Sequence, residues 1–275
     1  MESYSETILV PYDFTEKADC AVRHASRMAK GMKAGIVLLH IVKKESESDE
    51  QSVLLKNKAD EFSQEEQVPV GFLVKEGTIF KTINEVVDDA KAIAVVMGTH
   101  GIKGIQKFTG SWALKVIVGC HVPYLIVQRD PEYQNPLNIL FPVDHKLETK
   151  EKLKWASLLT SLGNIKIVLF AQQGNGPLYD NPTRANMVFC KKYLEDRNIA
   201  YEAEWADKKG SFYEASLKFA KEHKVDMIMI TTTRDIAFHD YVLGAYEQVV
   251  IANEAQIPVF VVNPRTDVKM VYSNF

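Results

Sequence analysis

The chain has 275 residues, with 33 Lys and Arg against 36 Asp and Glu, 46% apolar residues and three cysteines. This is the composition of a soluble globular protein, and a formal net charge of −3 without a block of like charges argues against nucleic acid as the main partner. The longest apolar runs, Ala92–Met97 and Ile257–Val262, are strand-sized and far short of the roughly 18–20 residues a membrane span needs. Met1–Glu6 lacks the basic start and apolar core of a secretory signal, so no membrane partner and a cytoplasmic location are expected.

In chain order, the first half predicts strands over Thr7–Pro11, Gly35–Val42, Val68–Lys75, Ala92–Gly98 and Pro123–Gln128. Between them, helical spacing predicts helices over Glu16–Gly31, Gln51–Glu65, Ile79–Ala90 and Ser111–Val118, with the charged run Lys43–Ser52 as a solvated connection. In the helix over 16–31, Ala18, Ala21, Val22, Ala25, Met28 and Ala29 recur at steps of three and four and form one apolar stripe. Several strands are apolar without alternation, as expected when both faces of a sheet are covered. The second half predicts strands over Leu137–Pro142, Ile165–Ala171, Ala200–Ala206, Met227–Thr231 and Pro258–Val262, with Asn181-Pro182 opening its second helix. Alternating strands and helices imply parallel sheets with right-handed crossovers, so each half is an α/β unit.

The chain repeats itself once. Ile8-Leu9-Val10-Pro11-Tyr12-Asp13 matches Ile139-Leu140-Phe141-Pro142-Val143-Asp144, and Val122-Pro123 to Val127 matches Ile257-Pro258 to Val262. The separation is 131 residues at Asp13 and Asp144, 133 at Gly77 and Gly210, 134 at Gly110 and Gly244, and 135 at Pro123 and Pro258. A collinear drift this small marks a duplicated domain, with residues 1–132 as the first copy and 133–275 as the second. The two prolines and lack of periodicity in Arg129–Pro136 mark the linker. Cys20, Cys120 and Cys190 are isolated from one another and are expected to be small buried apolar residues, not a disulfide or zinc set.

Ligands of open parallel sheets sit at the carboxyl ends of strands, where the winding direction reverses. Strand one ends in Pro11-Tyr12-Asp13, which puts a carboxylate at that edge, and strand four ends in Met97-Gly98-Thr99-His100-Gly101, followed by Gly110-Ser111-Trp112. Glycines admit close backbone approach, and Gly110-Ser111 offers free amides, a hydroxyl and a positive helix end to an anion. Adenine and ribose near Asp13 with phosphates over Gly98 to Ser111 is the economical reading. For His100, Lys103, Lys107 and Trp112, ordinary loop or core roles compete with roles at a phosphate. The remaining histidines lack metal spacing.

Val10-Pro11-Tyr12-Asp13-Phe14-Thr15-Glu16, Leu38-Leu39-His40-Ile41 and Gly98-Thr99-His100-Gly101 with Gly110-Ser111 resemble the universal stress protein family in its tandem two-domain form. The resemblance implies two Rossmann-like α/β domains, each a five-stranded parallel sheet of order 3-2-1-4-5 flanked by helices, docked like a dimer through their last strands. It also implies ATP or another adenine nucleotide, with Mg, in the first domain. Pro11, Asp13 and Ile41 would hold adenine or ribose, Gly98, Gly101, Gly110 and Ser111 the phosphates, and Met97 and Trp112 would flank the loop. Nucleotide-binding members have nine residues between G-x-x-G and G-S, whereas Ile102–Thr109 supplies eight.

The second half departs further: Thr232-Thr233-Arg234-Asp235 stands where Gly98 to Gly101 stood, and Gly244 is followed by Ala245. It is expected not to bind ATP in this manner. No Walker lysine motif, nucleophile elbow or acid pair is present, which favours a binding or regulatory protein over an enzyme. Three readings stay open: a stress-response nucleotide-binding protein, an interaction module of the same fold without nucleotide, and a slow ATPase. A homodimer and a protein partner are compatible with all three.

Overall fold

The computed structural model of the chain describes residues 6–99, 117, 120–132, 137–174, 176–206, 210–232 and 245–263. The first half contributes β1 (Thr7–Pro11), α1 (Glu16–Met32), β2 (Gly35–Val42), α2 (Ser48–Glu66), β3 (Val70–Glu76), α3 (Ile79–Asp89), β4 (Ala92–Gly98) and β5 (Tyr124–Val127). The second contributes β6 (Leu137–Val143), α4 (Lys152–Leu159), β7 (Ile165–Gln172), α5 (Pro177–Glu195), β8 (Ala200–Ala206), α6 (Phe212–Glu222), β9 (Met227–Thr231), α7 (Ala245–Ile251) and β10 (Val259–Val262). Five of the ten strands, β1, β2, β4, β8 and β9, have the bounds read from the sequence. Of the predicted helix over 111–118, only Ile117 lies among the described residues.

All ten strands form one sheet of order β3-β2-β1-β4-β5-β10-β9-β6-β7-β8. Each half shows the expected 3-2-1-4-5 order, and every pairing within a half is parallel. The halves meet where β5 and β10 pair antiparallel, with Val259 opposite Ile126, Phe260 opposite Leu125 and Val261 opposite Tyr124. Side chains alternate across the sheet. Leu125, Val127, Phe260 and Val262 join the core under α1, α2, α4 and α5, while Tyr124, Ile126, Val259 and Val261 join the core under α3, α6 and α7. Both cores run through both halves.

α1 forms because its apolar stripe has a capped start and end. The Thr15 hydroxyl accepts from Ala18 N at 3.3 Å, Glu16 and Asp19 sit in the first turn, and Lys33 closes the helix in the left-handed region. The stripe residues Ala18, Ala21, Val22, Ala25, Met28 and Ala29 are all buried. At its far end α1 reaches the second half, and a Cβ on Gly31 would come within 2.6 Å of the Ser161 carbonyl oxygen. A side chain there would push the helix off the three-ten turn Thr160–Leu162.

Two readings need correction. The second helix of the second half starts at Pro177, not at Asn181-Pro182, because Pro177 takes the first-turn position where a missing N–H costs nothing. Pro182 then lies inside the helix and leaves the Leu178 carbonyl without its donor; Leu178 is 85% exposed, so water can supply one. Lys43–Ser52 is not wholly a connection: a three-ten turn occupies Glu45–Glu47 and α2 already begins at Ser48. The cysteines are free and buried as expected, and burial pushes the Cys20 and Cys190 thiols up to about 12, which keeps them protonated.

The chain leaving β5 lies along α1. Lys17 Nζ donates to the Gln128 carbonyl at 2.5 Å, Arg23 pairs with Asp130 at 2.6 Å, and His24 Nε2 meets the Arg129 carbonyl at 2.9 Å. Burial pulls the His24 pKa down to about 4 from 6.5. The unfolded chain therefore binds the extra proton between those values, and the stability held by neutral His24 is full above pH 6.5 and lost as pH falls towards 4. Chemical denaturation at pH 7 and pH 4.5 should show a loss of about 2 kcal/mol attributable to this group. His24→Gln, which keeps a donor but does not titrate, should remove that part of the acid sensitivity.

Candidate functional site

The carboxyl edge of the first half is shaped by where β1 stops. Tyr12 N donates to the Leu39 carbonyl at 2.8 Å, the last such bond between the two strands, while β2 runs on through His40, Ile41 and Val42. Backbone groups alternate sides along a strand. Leu39 presents its carbonyl to β1, so Ile41, two residues on, presents its N–H and C=O to the same side, past the end of β1. His40 alternates away, and its Nδ1 is 2.7 Å from the Tyr12 carbonyl oxygen, which fixes the turn out of the strand.

Asp13 is exposed at this point. Its Oδ1 accepts from Thr15 N at 3.2 Å and from Thr15 Oγ1 at 2.6 Å, an Asx turn that leads directly into the α1 cap. Its Oδ2 takes no hydrogen bond from the described residues and is the group available to a ligand hydroxyl. Phe14 between them adopts φ 61°, costly for a bulky residue, and packs edge-on against Tyr12 and His40 at ring distances of 5.3 and 5.0 Å. Tyr12 is buried and donates its hydroxyl to Asp19; burial first, and that bond second, raise its pKa. Tyr12 is thus a structural strut, fixed under the Asp13 turn.

Pro11 and Ile41 are half-buried and Met97 is buried; Ile41 and Met97 join the core on the α3 side, where Leu9 also places Pro11 by alternation. Pro11, Ile41, Asp13 and Met97 therefore converge on one end of β1, β2 and β4. Gly98 has a reason of its own to be glycine: a Cβ would lie 2.0 Å from the Lys17 carbonyl oxygen and 3.2 Å from Ala18 N. Its lack of a side chain lets the first turn of α1 cross the end of β4, independently of any ligand. Gly101, Gly110, Ser111 and Trp112, together with His100, Lys103 and Lys107, lie outside the described residues. Among the described residues no group of His, Cys, Asp and Glu is placed to hold a metal, and no helix is long and apolar enough to cross a membrane.

The same edge of the second half is rebuilt. Asp144 Oδ1 accepts from Lys146 N at 3.1 Å and from the Thr149 hydroxyl, the device of Asp13 and Thr15 stretched over a longer loop. Asn186 braces that loop, donating to the carbonyls of Asp144 and Lys146 at 2.8 and 2.9 Å. A cavity of about 330 Å³ opens beside it, lined by Asp144, His145, Gln172, Gly174, Tyr179 and Phe212 among others. Lys152, three residues past Thr149 as Ala18 is past Thr15, is fully buried. Its Nζ donates to the Pro142 carbonyl at 2.6 Å and lies 4.3 Å from the Phe141 ring centroid, and burial pulls its pKa down to about 8.

Strand register also corrects the alignment of the two glycine segments. Gly98 pairs with Val127 and Thr231 pairs with Val262, and Thr99 N and Thr232 N make the same next bond, to the Val127 and Val262 carbonyls. Thr231, not Thr232, therefore replaces Gly98, and by count Arg234 replaces Gly101. Sequence reasoning placed the cluster at the edge but missed Thr15, Phe14 and Lys152. Asp-x-Thr before a helix was a readable signal for Thr15; nothing local signals a lysine inside a core.

Gly98→Ala should destabilise the protein by about 2–4 kcal/mol, because backbone, not a flexible side chain, occupies the space its Cβ needs. Urea denaturation measures this, and the loss should be the same with and without nucleotide.

The Universal stress protein family pattern matches residues 5–128. No protein of curated function matches the chain. A universal stress protein from Archaeoglobus fulgidus DSM 4304 is 17% identical over 94% of this chain and 98% of its own, with a TM-score of 0.71. A functionally unknown protein from Pseudomonas aeruginosa PAO1 is 14% identical over 95% of this chain and 93% of its own, with a TM-score of 0.66. At these identities the likeness is one of fold, and it runs through both halves. Residues 5–128 therefore carry the pattern of the universal stress protein family, and the second half repeats the fold of the first.

Proposed function

We propose that the chain is a nucleotide-responsive regulatory protein of the stress response that binds one adenine nucleotide, in its first domain, residues 1–132. The observation that supports this most is the backbone pair of Ile41, which faces past the end of β1 and has no partner on that side among the described residues, next to the Asp13 carboxylate. A C=O and an N–H side by side suit the amino group and ring nitrogen of adenine, and a carboxylate acceptor suits ribose hydroxyls. Pro11 and Met97 supply apolar contact at the base. Phosphates fall to the segment from Gly98 through Gly101, Gly110 and Ser111, flanked by Trp112, with Mg accompanying a triphosphate. The second domain, residues 133–275, carries side chains where that segment needs bare backbone, and it acts as a structural partner in a cytoplasmic protein that binds but does not turn over its ligand.

Calorimetric titration of nucleotide-stripped protein with Mg-ATP should give one site per chain. Asp13→Ala should weaken it by about 10–100-fold, the worth of hydrogen bonds to a charged group, and Gly110→Val should abolish it. At ATP a hundredfold above its Kd, the native state should gain about 2.7 kcal/mol. Two equivalent sites would overturn the asymmetric reading. No heat and no thermal shift at millimolar ATP would leave an interaction module of the same fold, for which the eight-residue spacing of Ile102–Thr109 speaks. Steady release of phosphate would identify an ATPase.

A further inference from the structure

The loop that carries Asp144 is held from both sides. Asp144 Oδ1 takes two donors, Lys146 N and the Thr149 hydroxyl, and the buried Asn186 spends its side-chain amide on the Asp144 and Lys146 carbonyls. Across the cavity, Gly174 N donates to Asp180 Oδ1 at 2.6 Å and the Thr183 hydroxyl donates to the Tyr179 carbonyl at 2.7 Å, which ties the start of α5 to the end of β7. Within this frame Asp144 Oδ2 and the Tyr179 hydroxyl take no hydrogen bond among the described residues. An acceptor fixed in place through its neighbouring atoms, with its own lone pairs unused, is a preorganised one.

The cavity of about 330 Å³ beside this loop is of a size that holds a small ligand. Among the described residues that line it there is one acid, Asp144, and no lysine or arginine. The buried Lys152 spends its ammonium on the Pro142 carbonyl and the Phe141 ring and does not line the cavity. A ligand anion would therefore meet a like charge here, and a ligand cation an opposite one. Aromatic side chains line the same space. His145 and Tyr179 pack edge to face at 4.9 Å, Phe212 is stacked on Phe170 at 6.0 Å, and Tyr179 stays 49% exposed. Aromatic rings attract a cation and give apolar contact to the stem that carries it.

We propose that the cavity beside Asp144 is a binding site for a small organic amine, whose ammonium donates to Asp144 Oδ2 and whose apolar stem lies against Tyr179 and Phe212. Every residue of this site belongs to the second half, so the assignment does not depend on the nucleotide reading of the first. It gives the two halves ligands of opposite charge.

Phenethylammonium chloride and 2-phenylethanol differ in the ammonium group alone and test the charge. Titration of the full chain, followed by ligand-observed NMR, should show one saturable amine site with a Kd of about 1 mM, the range open to a ligand of so few atoms. The alcohol should bind about tenfold more weakly, and added salt should weaken the amine only. Asp144→Asn keeps an oxygen for Lys146 N and the Thr149 hydroxyl and should cut amine affinity about tenfold. Because Asp144 also supports the charge of Lys152, Tyr179→Ala serves as a second variant at a half-exposed position and should cut it about threefold. Saturating Mg-ATP should leave the amine in place. Absence of saturable amine binding at about 20 mM, equal binding of amine and alcohol, displacement by Mg-ATP, or an affinity unchanged in either variant would overturn the proposal.

Discussion

The antiparallel pairing of β5 with β10 is the constraint on which the rest of the architecture depends. Both strands are four residues long and wholly buried, so neither presents a polar face to water if the halves part. A strand edge in that state leaves backbone donors and acceptors without partners as well as exposing apolar area. Joining the edges solves both problems at once and lets two cores extend across the seam. Gly31 then becomes necessary, because α1 of the first half must pass close to a turn of the second. One continuous sheet and two shared cores thus join the halves.

Duplication followed by drift explains how the two edges differ. The aspartate and its threonine persist in both, bonded to each other at the turn out of the strand, while only in the first half does the threonine also cap the following helix. Around them, Thr231 replaces Gly98 and Lys152 replaces Ala18. In the first half, Gly98 allows α1 to begin directly over β4. In the second, a three-ten turn over Leu147–Glu151 takes the place of that first turn, and the helix is cut to eight residues. A buried lysine follows, tolerated because a carbonyl accepts from it and an aromatic ring faces it.

Most of the fold was legible in the sequence because its signals are local. Unalternating apolar runs gave the strands, a three-and-four stripe gave α1, and Pro-x-Asp at the same place in two halves gave the repeat. Pro182 misled because a proline reads as a helix start, yet a second proline five residues earlier, Pro177, already held that position. The site was legible as a cluster: Pro11, Asp13, Ile41 and Met97 do converge, but the part Ile41 offers is backbone direction, which no residue type announces. Gly98 shows the opposite failure, since a glycine that invited a ligand reading is also demanded by packing against Lys17. The amides of Gln128 and Asn263, which cross between the halves to the carbonyls of Ile251, Asn253, Ile117 and Cys120, were invisible because those partners lie more than 120 positions away.

The wide separation of the seam strands has a consequence for synthesis on the ribosome. Ile126 waits for Val259, which is 133 residues further along the chain. At ~5–20 residues per second, the interval is roughly 7–27 s. Throughout it the first half can complete β1 to β4, yet Tyr124-Leu125-Ile126-Val127 has no partner on its outer side. A nascent chain in that state offers other nascent chains on the same message the very edge that β10 will later take, and swapped pairs are the characteristic error of such a layout. The faster the second half emerges and closes the sheet, the shorter the time for which that edge is open to a wrong partner.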